Sequence, residues 1–74
     1  MEQDISKEKQ AAIIDHEMEV ARESRYILTV RAKVARDIKN EKGLEACQTQ
    51  LEQVEKTLAV LEGMKKELAD KGAV

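Results

Sequence analysis

The sequence predicts an all-α protein folded as an antiparallel two-helix hairpin, a short coiled coil closed on itself. Three observations predict it: a heptad seam in the second half, two parallel apolar rows in the first, and a loss of phase between them at residues 40–43.

In the second half, Leu44, Cys47, Leu51, Val54, Leu58, Leu61 and Leu68 recur at alternating steps of three and four, with Lys65 the one interruption. A repeat of about 3.5 residues on a helix of about 3.6 residues per turn keeps a narrow apolar stripe turned toward one neighbouring helix. Helix 2 is therefore expected over about 44–71, with Gly72 as the residue that closes it.

Helix 1 is expected over about 5–39. Either Asp4 or Ser6 suits the N-cap, and Glu2, Asp4 and Glu8 suit the positive end of the helix dipole. Its apolar face is wider than that of helix 2. One row is Ile13, Val20, Ile27 and Val34 and the other is Ile14, Ala21, Leu28 and Ala35, joined by Met18, Val30, Ala32 and Ile38. Adjacent residues such as Ile27 and Leu28 point about 100° apart, so the face implies two neighbours. One neighbour is helix 2, with Leu28, Ile38, Cys47, Leu51, Val54, Leu58, Leu61 and Leu68 as the hairpin core. The other is a partner surface, with Ile13, Val20, Ile27, Val30 and Val34 as its candidate residues. The plainer alternative is that Ala21 and Ala35 are present only as good helix formers.

Between the helices, Asn40-Glu41-Lys42-Gly43 contains two residues that tolerate positive φ. Propensity alone permits one continuous helix, since an internal glycine costs only about 1 kcal/mol. Phase decides for a break. The row from Ile13 continues in sevens onto Glu41, Gln48, Glu55 and Glu62, and the seam of helix 2 runs back onto Asn40, Lys33 and Tyr26. A reversal at 41–43 makes facing residue numbers add to roughly 84 or 85, setting Ile38 near Cys47, Val34 near Leu51, Ile27 near Leu58 and Val20 near Met64. The same register lays the basic middle of the chain beside Glu45, Glu52, Glu55 and Glu62.

Seventy-four residues make at most one small domain, and a charged share of 38% with this periodicity suits a long-helix protein. A hairpin of this size buries too little to stand comfortably alone, which favours an oligomer or a complex. One cysteine forms no internal disulfide, and no apolar run is long enough for a membrane span, so the expectation is a cytoplasmic, non-membrane protein. Net charge is −2 overall but uneven: residues 1–21 carry −4, residues 22–42 carry +4, and residues 43–74 carry −2.

Few residues of the sequence point to chemistry. His16, the single histidine, shares a helix face with Glu19 but with no other ligand, which favours a solvated side chain over a metal site. Cys47 occupies the seam with no histidine placed to activate it and reads as a small buried hydrophobe. No phosphate loop, carboxylate pair or cysteine cluster occurs, so no catalytic residue, cofactor or metal is assigned and the chain is not read as an enzyme. The basic band, with Tyr26 at its edge, permits nucleic-acid contact, but a solvated face is the better reading. Lys65 either specifies register or partner or snorkels to water.

From Leu44-Glu45-Ala46-Cys47-Gln48-Thr49-Gln50-Leu51 through Val54-Glu55 to Leu58-Ala59-Val60-Leu61, the chain resembles the small E-type chaperones of bacterial type III secretion needles. Leu44-Glu45 stands where that family opens its second helix with Tyr-Gln. The resemblance implies a helical-hairpin co-chaperone that pairs with a TPR-like chaperone, the two holding the needle subunit monomeric. The alternative is a homodimeric four-helix-bundle regulator, of phage or plasmid type, that uses its basic band on nucleic acid or protein.

Overall fold

A computed structural model describes residues 5–72. Among them run two α-helices, α1 (Lys7–Asp37) and α2 (Glu41–Gly72), folded back on each other as an antiparallel hairpin. The molecule measures 53 × 23 × 14 Å. Its long axis is set by the 31 residues of α1, about 46 Å at about 1.5 Å per residue.

Ser6 starts α1. It holds extended dihedrals, φ −63 and ψ 159, while its hydroxyl accepts from the Lys9 N–H at 3.1 Å, satisfying one of the N–H groups a helix start leaves open. The Gln10 side-chain amide donates to the Ile5 carbonyl at 2.7 Å and ties the entering chain to the first turn. Asp4, the other cap candidate, lies outside the described residues, as do Glu2 and whatever follows Gly72, where α2 is still helical.

The reversal comes earlier than 41–43. Lys39, not Gly43, takes the left-handed conformation, with φ 61. Its N–H donates to the Arg36 carbonyl at 3.1 Å and the Asn40 N–H to the Ala35 carbonyl at 2.8 Å. That pair of bonds is the Schellman closure of a helix end. Asn40 then opens α2, its Oδ1 accepting from the Gly43 N–H at 3.0 Å. Gly43 sits inside the first turn of α2 without positive φ. A methyl group there would stand 2.7 Å from the Asn40 Nδ2, so it is the cap side chain and not a backbone angle that favours glycine.

The earlier turn shifts the register by about one helical turn. Asp15 and Lys65, joined at 2.7 Å, have numbers adding to 80. Leu58 packs with Met18 and Ala21, flanked by Ile14, Val54 and Leu61, and not with Ile27. Ile38, expected in the hairpin core, is 66% exposed because it is the C-cap residue of α1, one turn beyond the last inward position, Ala35. Val20 and Met64, expected to face each other, are both exposed, and Val34 is not held against Leu51 but turned to solvent. On α2 the seam stands: Leu58 is buried and Leu44, Cys47, Leu51, Val54, Leu61 and Leu68 are half-buried. Among the described residues, the acids Glu55 and Glu62 share a cleft with Arg22 and Arg25 without pairing to them. Ion pairs form instead between Asp15 and Lys65 and, within α1, between Lys33 and Asp37 at 3.4 Å.

Candidate protein-interaction face

The inward stripe of α1 mixes alanines with a few larger apolar side chains. Met18, Ala21, Leu28, Ala32 and Ala35 are buried, with Ala11, Ile14 and Ser24 half-buried, all at steps of three or four. Ala21, Ala32 and Ala35 leave room for the larger Leu and Val side chains of α2, while Met18 and Leu28 supply the bulk of the stripe. Ala21 and Ala35 are thus packing residues, not merely helix formers.

Apart from Ile14, the larger β-branched residues of α1 point the other way. Ile13 is 46% exposed, Val20 43%, Ile27 48%, Val30 44% and Val34 52%. These five are the candidate partner residues, and they lie on the open side of the hairpin. Two shallow grooves run along that side. Near the turn, Val30, Val34 and Ile38 face Gly43 and Cys47 across one groove, and further along, Ile27 and Leu28 face Gln50, Gln53 and Val54 across the other. Gln53 also borders a third hollow with Thr57, Val60 and Leu61, which brings Val60 to the same side. On the opposite side the cleft is polar and lined by Arg22, Arg25, Glu55 and Glu62. The open side is thus the more apolar of the two, with Arg31 bordering both of its grooves, and the opposite cleft carries charges of both signs.

Val60, 62% exposed, and Met64, 46% exposed, extend the apolar face onto α2. Neither was assigned to it from the sequence. The signal was present: Val60 and Met64 lie four apart and off the 44–68 seam, which leaves them no place in the hairpin core.

His16 is exposed, and among the described residues no three His, Cys, Asp or Glu side chains gather as a metal-holding group. Cys47 is a half-buried free thiol on the seam. Tyr26 is 70% exposed. Lys65 interrupts the seam by reaching across to Asp15 and so marks the antiparallel register, though a pair this exposed contributes only about 0.2–1 kcal/mol. No helix among the described residues is long and apolar enough to cross a membrane.

What fold and face together define is a helical hairpin with one uncovered apolar side. Comparison with family models, with curated proteins and with solved structures finds no match to this chain.

Proposed function

We propose that the chain is a non-enzymatic interaction protein that docks a helical partner on the open face of α1. The observation that carries this reading is the exposure of a second apolar row on α1: Met18, Leu28 and three alanines turn inward, while Ile13, Val20, Ile27 and Val34 turn to water. In a hairpin adapted to stand alone the larger apolar residues would be spent on the internal seam, where their burial contributes about 1.5–3 kcal/mol each. Contiguous apolar patches of several hundred Å2 on soluble proteins mark docking surfaces.

The resemblance of 44–61 to the E-type secretion chaperones gives this reading its specific form: a cytoplasmic co-chaperone whose face receives a TPR-like chaperone, the two together keeping a needle subunit monomeric. Helices of a TPR-type partner suit a flat, elongated apolar face. The test is co-purification of the tagged chain from its native host. A stoichiometric TPR protein that is retained by the unmodified chain and lost with Val20→Glu, helicity being preserved by circular dichroism, supports the reading. Retention by the Val20→Glu variant overturns it, and recovery of salt-sensitive RNA in place of protein favours the four-helix-bundle regulator acting through its basic band.

A further inference from the structure

We infer that, when no other protein occupies it, the open face is covered by a second copy of the chain, α1 against α1 in antiparallel orientation. The inference rests on the reading of that face as an interaction surface and names what covers it in the resting state. A different helical partner would then have to displace the second copy.

The elongated shape leaves ample area for such a cover. A compact folded monomer of 8.4 kDa exposes about 4,600 Å2. This chain exposes 6161 Å2. The excess, about 1,500 Å2, comfortably exceeds the roughly 800 Å2 that each partner contributes to a standard stable interface.

Sequence and charge select a second copy as the cover and fix its direction. Ile13, Val20, Ile27 and Val34 are equally spaced by seven, so the spacing is the same in both directions and reversal sets each isoleucine opposite a valine. A two-fold axis between Val20 and Ile27 brings each half of the row onto the other, as an isologous interface requires. Charge on the same helix is not symmetric: residues 7–21 carry −2 and residues 22–37 carry +3. Parallel pairing would lay acid on acid and base on base, whereas antiparallel pairing lays each on its opposite. Turning the row about its midpoint sets Glu17 of one copy within one residue of Arg31 of the other, and the symmetry makes that contact twice.

The test uses the whole chain. Sedimentation at low micromolar concentration is expected to show a dimer. Val20→Glu should weaken it by about a hundredfold or more, since the new charge would be buried twice in an apolar seam. Glu17→Arg should weaken it about three- to tenfold, and Glu17→Arg with Arg31→Glu should restore it, because the swap re-forms the pairs in reversed sense. In a Cys47→Ala background, spin labels at residue 23 of the two copies should lie about one interaxial distance apart, about 10 Å. Labels at residue 33 should lie about 29 Å apart, the length of the 19 helical residues that antiparallel pairing puts between them. Short distances at both positions indicate a parallel dimer and overturn the inference, as does a Glu17→Arg variant that associates undiminished. A monomer with native helicity overturns the self-pair alone, because capture of a TPR-type protein does not depend on it. A dimer that survives Val20→Glu overturns both the self-pair and the docking role of this face.

Discussion

Lys39 holds a left-handed backbone, φ 61, at a position where helix ends more commonly place glycine. For an L residue that conformation costs about 1–2 kcal/mol, which the freer unfolded state of glycine partly offsets. Lys39→Gly should therefore stabilise the chain by about 0.5–1 kcal/mol, read as a higher urea midpoint at fixed protein concentration. The neighbouring pair is coupled. Asn40→Ala removes the cap of α2 and should cost about 1 kcal/mol. Gly43→Ala improves helix propensity by about 1 kcal/mol but presses on the Asn40 amide, which a Cβ would meet at 2.7 Å. The alanine should accordingly be more favourable in the Asn40→Ala background than in the unmodified chain, and additive effects in a double-mutant cycle would show that the cap does not depend on the missing methyl. Leu58, buried against Met18 and Ala21, is the side chain of α2 whose truncation should hurt most. Leu58→Ala should cost about 2–5 kcal/mol, and an unchanged melting temperature would contradict its place in the core.

Between the helices, the same contrast of sizes makes neighbouring residues respond differently. Ala21 is buried at 7% and Val20 is exposed at 43%, although they are adjacent in the chain. Ala21→Leu should destabilise the hairpin by about 1–3 kcal/mol through overpacking, whereas Val20→Leu should change the stability of the isolated hairpin by no more than about 0.5 kcal/mol. Thermal unfolding of the two variants at matched concentration provides the comparison. The periodicity of α2 was legible because seven large or sulfur-containing residues mark it without ambiguity. The presence of two rows on α1 was legible too, and so were the residues of its outer row. What the pattern hid was the position of the turn. Asn and Gly advertise a break, but here Lys39 takes the strained conformation and Asn40 and Gly43 serve the start of α2. A displacement of a few residues at the turn carried Ile38 out of the core and moved the partner of Leu58 from Ile27 to Ala21. Ala21, Ala32 and Ala35 stood in the apolar pattern but outside the expected hairpin core for a related reason: a small residue has high helix propensity whether or not it is packed, so its type alone does not report burial.

At the scale of the whole molecule, the hairpin is elongated. Its radius of gyration is 16.6 Å, against about 11 Å for a compact domain of this length. Among the described residues no large side chain is fully shielded from water, the most buried being Met18 at 5% exposure. Stability drawn from such a seam is modest, and covering the open face adds to it by mass action. The melting temperature should therefore rise with protein concentration, by about 5 °C per tenfold for a domain of this size. A melting temperature independent of concentration over the low micromolar range would place all of the stability within one chain.

Asn40 ends one helix and begins the next, which leaves no spare residue between them. This restricts how the length of the protein can change over generations. One residue inserted at 38–40 must forfeit either the closure of α1 or the cap of α2, and if absorbed into α2 it turns the seam by about 100° away from the alanines. Seven residues added to each helix at matching distances from the turn would instead preserve the register. Descendants of this sequence should therefore differ in length mainly at the end of the hairpin remote from Asn40, or by paired heptads, and a single-residue insertion at the turn should be among its least tolerated changes.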